Sequence, residues 1–468
     1  MSAIQPVILW TDALVFALVA GVAGLVLFIR RHEHLRAPWA GVARRPMAMG
    51  SALVLAVFVI IGLLDSLHYR ERLSDSPADA PQYSVEVLSV FDALVGSLRT
   101  QQEKTYSAPL AIQLYAKEFI DHDGVAVREY PRLKFGGAHL DDVEDHQADI
   151  LRRALLGSVQ GLAVALLLLG GLAAWLARRS QTSYGQWLMD WGAGRLAWPA
   201  RTVAVIVTLI AITLAVLMHL AAGYHVLGTD KVGQDVLYIS LKSIRTGLVI
   251  GTLTTLVTLP LAIVLGIAAG YFRGWVDDVI QYVYTVLNSI PGVLLIAAAV
   301  LIVQVYIESN PDLFDTAAAR ADIRLLALCI IMGVTSWTGL ARLLRGESLK
   351  LRTLDYVEAA RAFGVSHSRI IGRHIFSNVF HLVLIAVVLD FSGLVLAEAV
   401  LSYVGVGVDP TMYSWGNMIN GARLELAREP VVWWQLGAAF AFMFTLVLAA
   451  NLFADGVRDA FDPRQGGR

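Results

Sequence analysis

Apolar runs long enough to cross a bilayer recur along the whole chain, with polar segments between them. A helix needs about 20 apolar residues to span the hydrocarbon core of a membrane. On this criterion the pattern predicts nine membrane-spanning helices. They are Val7–Ile29, Met47–Leu67, Leu155–Ala177, Thr202–Gly223, Leu248–Tyr271, Val279–Ile307, Ile323–Leu344, His381–Val404 and Trp433–Phe453.

Basic residues cluster in alternate connections between these runs. Five arginines lie between the first and second runs, and Arg178–Arg179 and Arg342–Arg345 end later ones. Cytoplasmic loops carry the excess of Lys and Arg. We therefore expect the N-terminus outside the cell and, after nine crossings, the C-terminus in the cytoplasm.

Composition excludes a soluble globule. Hydrophobic residues make up 57% of the chain and charged residues only 16%, whereas soluble domains are about a quarter charged. A net charge of −1 argues against nucleic acid as a partner, because phosphate binding needs a basic surface. The one cysteine, Cys329, lies in an apolar run and can form no internal disulfide.

The segment from His68 to Arg153, which we call the polar extension, differs from its surroundings. Charges are frequent and apolar runs are short, so we expect a small extracytoplasmic domain, α or α+β. Helical spacing in Tyr83–Thr100 and Tyr106–Ile120 predicts two helices. The expected organisation is a membrane hairpin (1–67), this domain (68–153), a third membrane helix with a surface connector (154–200), and a membrane core (201–468).

One group of polar side chains in the polar extension has the chemistry of metal ligands. Hard or borderline cations bind such groups, but the spacing matches no known site, and a solvated acidic linker explains it equally well. The residues are His139, Asp141, Asp142, Glu144, Asp145 and His146.

A polar, basic island of about 27 residues, 354–380, separates two apolar runs. Asp355–Phe363 has helical character, Gly364 supplies the left-handed position at which helices often end, and Ser366 is an expected N-cap of a second short helix. We call this stretch the coupling segment. A soluble partner is expected to dock on this segment, and the residues expected to contact it are Asp355, Glu358, Ala359, Ala360, Arg361, Gly364, Arg369 and Arg373.

The coupling segment resembles the cytoplasmic loop of importer-type ABC transporter permeases, in which Glu-Ala-Ala is followed three residues later by Gly and then by a basic-aliphatic helix. Glu358-Ala359-Ala360 and Gly364 match that pattern, while Phe376-Ser377 replaces the Leu-Pro of many relatives. The resemblance implies a helix pair that sits in a groove of the ATP-hydrolysing subunit and passes its closure to the membrane helices.

Further segments resemble the peptide, opine and nickel branch of this family. His225–Val236, which we call the loop motif, is similar to the segment outside the first core helix, with Gln234 in place of the family's Arg. Gly228 and Gly233 permit tight turns, and Thr229, Asp230 or Asp235 can cap helices. Other matches are Arg273–Asp278, Glu398–Gly407, Ser414–Met418 and Asp455–Arg464, so the resemblance covers about Arg201–Arg464.

Four residues inside the predicted spans are unusual at membrane depth. Asn288 and Pro291 are tolerated there only against protein or a water-lined path. Asp390 and Glu398 are costly in hydrocarbon, so each is expected to face a partner or the pathway. Pairing with another helix is favoured for Glu398, and both possibilities stay open for Asp390.

The chain has no Gly-x-x-x-x-Gly-Lys-Ser/Thr phosphate loop, so ATP and Mg²⁺ are expected in partner subunits and not here. The resemblance implies an all-α permease of the bacterial inner membrane with a six-helix core, moving a peptide-like solute. Its expected partners are ATP-binding subunits, a second permease and an extracytoplasmic solute-binding protein. A proton-coupled secondary transporter and a non-transporting scaffold or sensor are the alternatives.

Overall fold

The computed structural model describes residues 4–73, 82–122, 125–196, 198–311 and 316–461. Within these residues nine helical segments are long and apolar enough to cross a membrane, which confirms the predicted number. The spans are Trp10–Arg31, Pro46–Asp65, Val143–Arg179, Ala200–Ala221, Val236–Phe272, Gly292–Ser309, Ala317–Leu351, His367–Tyr403 and Trp434–Phe461. The predicted Asp462–Arg464 end of the last motif lies outside the described residues.

The first part of the chain, up to Ser183, forms helices and short strands. In order they are β1 (Ile4–Val7), α1 (Trp10–Arg31), α2 (Glu33–Arg44), α3 (Pro46–Asp65), β2 (His68–Glu71), β3 (Leu88–Ser89), α4 (Val90–Leu94), α5 (Gly96–Thr100), β4 (Glu118–His122), β5 (Val125–Glu129) and α6 (His146–Arg179).

The remainder of the described chain is helical. It contains α7 (Tyr184–Ala193), α8 (Ala200–Ala221), α9 (Val236–Phe272), α10 (Trp275–Ser289), α11 (Gly292–Ser309), α12 (Ala317–Ser336), α13 (Thr338–Leu351), α14 (Asp355–Ala362), α15 (His367–Ile370), a π-helical stretch (Ile371–Phe376), α16 (Ser377–Tyr403), α17 (Trp415–Glu425) and α18 (Trp434–Phe461).

The chain divides into two compact units. The first contains residues 1–6, 39–245 and 413–453. In it α6 and α8 approach closely because α6 carries Gly157 and Gly161, where a Cβ would lie 2.7 Å from Val216 Cα and 2.5 Å from Ile212 Cα. The α7 connector packs Trp187 against Ala173 and Ala177 of α6.

The second unit contains residues 7–38, 246–412 and 454–468. One apolar core joins α9, α12 and α16, with Ile250, Leu325, Leu328 and Leu401 at its centre. A second core joins α9, α13 and the coupling segment. Small residues of α9 allow this packing, since a Cβ on Gly266 would lie 2.6 Å from the Ala341 carbonyl oxygen.

Of the two helices predicted in the polar extension, the first is only partly present and the second is wrong. Only Val90–Leu94 and Gly96–Thr100 are helical within Tyr83–Thr100, and Tyr106–Ile120 contains no helix. β2 pairs with β3, and β4 and β5 form a separate antiparallel hairpin. Tyr106, Ile112 and Leu114 are buried, but they lie in irregular chain and not in a helix.

The sixth predicted span, Val279–Ile307, is interrupted. Helix α10 ends at Ser289 and α11 begins at Gly292. Ile290 is extended, with φ −94° and ψ 131°, because the ring of Pro291 disfavours the helical region for the residue before it. Of these two helices, α11 is a candidate membrane span and α10 is not.

The fifth predicted span begins earlier than Leu248. Helix α9 starts at Val236, and its added first turns carry the polar residues Ser240, Lys242, Ser243 and Arg245. Ser240, Ser243 and Arg245 are nevertheless buried. The prediction from hydropathy left these turns out of the span because their residues are polar. Their burial depends on contacts in the folded chain.

Candidate functional site

The coupling segment folds into two short helices around a glycine turn. Gly364 has φ +73°, a conformation that costs about 1–2 kcal/mol for a residue with a Cβ. Two backbone bonds close α14, from Gly364 N–H to the Arg361 carbonyl and from Val365 N–H to the Ala360 carbonyl, the Schellman arrangement. Ser366 precedes α15 in extended conformation, but its side chain forms no capping bond.

One face of the coupling segment is packed against the membrane helices. Val357, Ile370 and Ile375 are at most 2% exposed and join the core formed by α9 and α13. The Tyr271 hydroxyl and His367 Nδ1 lie 2.7 Å apart, which ties the end of α9 to α15. The packed face therefore joins the segment to α9 and α13.

The opposite face of the coupling segment is open. Seven of the eight predicted contact residues are exposed, and Ala360 is partly buried. Phe363, next to the glycine turn, is 87% exposed. Aromatic residues are enriched at protein interfaces.

An ion pair fixes the connection between α9 and α10. Asp277 accepts two bonds from Arg345, at 2.6 Å from Nε and 2.7 Å from Nη2. The Arg345 guanidinium lowers the pKa of the Asp277 carboxyl. The predicted Arg273–Asp278 connector is thus held to α13 by a bidentate contact, the strong form of an arginine–carboxylate pair.

The loop motif is enclosed by the polar extension. Thr229 receives a hydrogen bond from Ser107 N–H at 2.7 Å and donates one to the Thr105 carbonyl at 2.8 Å. Gly228 and Gly233 have φ +74° and +77°. A Cβ on Gly233 would lie 1.8 Å from the Glu103 carbonyl oxygen, so glycine is required here for conformation and for space.

Asp230 and Asp235 hold the backbone of the loop motif. Asp230 Oδ1 accepts from Val232 N–H and Gln234 N–H at 2.9 and 2.8 Å. Asp235 Oδ1 accepts from Leu237 N–H at 2.8 Å, at the start of α9. Both carboxylates therefore have structural partners.

A buried charged trio joins the loop motif to the polar extension. His225 lies between Asp235, at 2.7 Å, and Glu103, at 3.4 Å. Burial alone would lower the pKa of His225, but the two carboxylates raise it to about 9. Burial would likewise raise the pKa of Glu103, yet His225 and the N–H groups of 134–136 lower it to about 2.

A second buried charge network was not predicted from the sequence. Lys242 Nζ on α9 contacts Asp65 at 2.5 Å and Asp92 at 3.0 Å. Ser89 and Tyr238 donate to these carboxylates at 2.7 and 2.8 Å. The only available signal was a lysine in an apolar stretch, since 150 and 177 residues separate Lys242 from its two partners.

The polar residues predicted at membrane depth have different surroundings. The Thr338 hydroxyl donates to Asn288 Oδ1 at 3.2 Å, and Pro291 is the N-cap residue of α11. Glu398 is buried and accepts from the Ser402 hydroxyl at 2.6 Å. Asp390 is half-buried, and no hydrogen bond or ion pair involves it within the described part of the chain.

The histidines of the acidic group in the polar extension bind protein atoms. His139 Nε2 lies 2.7 Å from Asp149, and His146 Nε2 lies 2.8 Å from the Leu110 carbonyl. Asp149 also accepts from Arg153 and Tyr224. Among the residues that the structure describes, no group of three or more His, Cys, Asp or Glu residues could hold a metal ion.

Comparison with known proteins identifies the family. A family model described as "Binding-protein-dependent transport system inner membrane component" matches residues 262–467. The oligopeptide transport system permease protein OppC of Haemophilus influenzae is 31% identical over 242 residues, which cover 52% of this chain and 71% of the relative. The chain belongs to this permease family. It is a membrane-spanning permease subunit of an ATP-driven ABC importer, and members of the family are transport components.

Other relatives give the same result. The glutathione transport system permease protein GsiD of Pectobacterium atrosepticum is 33% identical over 242 residues, covering 51% of this chain and 73% of the relative. OppC of Escherichia coli K12 is 33% identical over 240 residues, covering 51% and 72%. Each match leaves about half of this permease outside the shared region.

Proposed function

We propose that this permease carries a peptide-like solute inward across the bacterial inner membrane by alternating access. Oligopeptide and glutathione appear in the names of its relatives, which supports a solute with peptide bonds. Alternating access needs two states that a partner can bias. ATP and Mg²⁺ are bound by separate subunits, whose closure supplies that bias.

The two faces of the coupling segment carry this proposal. Its packed face, with Val357, Ile370 and Ile375, is continuous with the core of α9 and α13. Its open face presents Glu358, Arg361 and Phe363. A segment held this way suits the transfer of movement from a soluble ATP-hydrolysing subunit to membrane helices.

The proposed assembly has three further features. The arginine-rich connections favour an N-terminus outside the cell and a C-terminus in the cytoplasm. A second permease subunit, which is a different chain, completes the pathway. The four segments 1–67, 68–153, 154–200 and 201–468 serve as membrane hairpin, extracytoplasmic domain, linking helix and transport core.

We assign contact with the solute-binding protein to the hairpin formed by β4 and β5. Phe119 and Tyr130 are 75% and 46% exposed. Among the described residues no further strand extends the two-stranded sheet, and an unpaired edge can pair with another chain. At the base of the hairpin, Tyr115 donates to the Val431 carbonyl at 3.0 Å and its ring contacts Trp434. Docking there is thereby linked to the start of α18.

The coupling proposal is tested by Glu358→Lys and Gly364→Pro in the complete transporter. Proline cannot adopt φ +73°, and the lysine reverses a charge on the open face. We expect both variants to reach the membrane and the ATPase to turn over, while uptake falls at least about tenfold. Glu86→Lys, an exposed glutamate of the polar extension, is the control. Normal uptake in both variants would refute the proposal.

The docking proposal is tested by replacing residues 118–129 with a short Gly-Ser turn. This removes the hairpin but keeps Glu103, Asp92 and their buried partners. We expect weaker binding of the solute-binding protein with normal expression and normal basal ATPase activity. Unchanged affinity would remove the hairpin from the interface. Deletion of 74–147 is a poorer test, because it also removes one carboxylate from each buried charge network, Glu103 from one and Asp92 from the other.

A further inference from the structure

Helix α16 carries two carboxylates in contrasting environments. Glu398 is 3% exposed and has the Ser402 hydroxyl as a partner. Asp390 lies at the middle of the 27 residues of α16, about 20 Å from either end at 1.5 Å per residue. It is half-buried, and the described residues offer it neither a hydrogen bond nor an ion pair.

A carboxylate at that depth does not face lipid. Charged side chains within membrane helices almost always face protein or a water-filled cavity, because exposure to hydrocarbon is costly. Asp390 stays half-exposed, so the surface it faces is either the pathway or another subunit. In both cases a cation is the partner that its chemistry favours.

The helix surface beside Asp390 is open. Leu389, Leu396 and Val400 are 51%, 44% and 50% exposed, and a Cβ on Gly393 would meet nothing within 4 Å. Three- and four-residue spacing places these positions along one stripe of the helix. Leu394 and Leu401, on the other side of Asp390, are buried in the core. Asp390 therefore lies where the open stripe meets the packed core.

The chemistry of peptides restricts what a fixed carboxylate can recognise. Peptides of different sequence share their backbone and their terminal charges, and a carboxylate complements the protonated amino terminus. We propose that Asp390 lines the pathway and binds the amino-terminal ammonium group of the solute during passage. This inference rests on the proposed function, since it requires a peptide-like solute.

The test compares trialanine with N-acetyl-trialanine in proteoliposomes containing the whole transporter and its loaded binding protein. For each peptide, the KM of Asp390→Asn is divided by the KM of the wild type. Any preference of the binding protein for one peptide cancels in this ratio. We expect Asp390→Asn to raise the KM for trialanine about tenfold or more, the loss of one charge-assisted hydrogen bond. KM for the acetylated peptide and the ATPase rate stay unchanged, and Asp390→Glu retains part of the wild-type behaviour.

A second measurement does not need the acetylated peptide. A terminal amino group loses its proton near pH 8, so the ratio of the Asp390→Asn KM to the wild-type KM for trialanine should fall towards one through that range. Equal losses for both peptides would assign Asp390 to a cation of the second permease and overturn the inference. No change in either peptide would also overturn it. Absence of ATP-dependent peptide uptake by the wild type would instead refute the proposed function.

Discussion

The loop motif (225–236) and the coupling segment (354–380) both carry family residues, but their environments differ. In the loop motif, Thr229 and Asp235 are buried and hydrogen-bonded, and Gly233 touches the Glu103 backbone. In the coupling segment the corresponding glycine, Gly364, has nothing within 4 Å of where a Cβ would lie. Family residues at the first site have their partners within the chain, whereas most of those at the second are exposed.

The largest loss of unfolding free energy is expected on replacing Glu103, which holds the enclosed loop motif. Glu103→Ala leaves the N–H groups of Lys134, Phe135 and Gly136 without their acceptor and removes a charge from His225. Breaking one side of a buried pair costs about 3–5 kcal/mol. Urea unfolding in detergent, followed by tryptophan fluorescence, should show this loss. Glu118→Ala, which removes an exposed pair with Lys104, should change stability by at most about 1 kcal/mol.

Gly233→Ala and Gly364→Ala compare the two sites directly, because both glycines have nearly the same φ. In each variant the left-handed backbone of the alanine lowers the unfolding free energy by about 1–2 kcal/mol. At Gly233 overpacking adds about 1–3 kcal/mol, whereas Gly364 has free space. The difference in unfolding free energy between the two variants measures how enclosed the loop motif is. Equal losses would show that the two sites are equally open.

The pH dependence of stability should report the buried trio. The pKa of His225 is raised from 6.5 to about 9, so its contribution is complete below about pH 6.5 and is lost as the pH rises through 9. The unfolding free energy should fall by at most about 1.4 kcal/mol per pH unit. His225→Gln should flatten the alkaline part of the profile. A wild-type profile without an alkaline decline would contradict the charged form of His225.

The smallest effect on stability is expected at Phe363. Because its side chain is 87% exposed, Phe363→Ala should change the unfolding free energy by no more than about 0.5 kcal/mol. Its effect on assembly should be larger, since buried aromatic anchors at interfaces are worth more than about 1 kcal/mol. Affinity for the ATP-hydrolysing subunits should fall about tenfold. Leu354→Ala is a less exposed control on the same segment.

The sequence predicted those features whose causes are local. Apolar length predicted the nine spans, and the Glu-Ala-Ala and glycine pattern located the coupling segment. Contacts between distant positions were not predictable. Tyr106, Ile112 and Leu114 lie in a segment predicted to be helical, but the backbone near them bonds to the loop motif, so no helix forms. Lys242 meets Asp65 and Asp92 only after the polar extension has packed on α9.

The Lys242 network has a consequence for dissecting the permease. A chain shortened to the half that its relatives share would lose Asp65, Asp92 and Glu103 together. Lys242 would lose both of its carboxylate partners, and His225 would keep only Asp235. Any minimal version must therefore neutralise position 242 and reconsider position 225. Fusing the additional half to a relative has the matching requirement. The relative would need a lysine at the position of Lys242 and a histidine at the position of His225, so that the added carboxylates have partners.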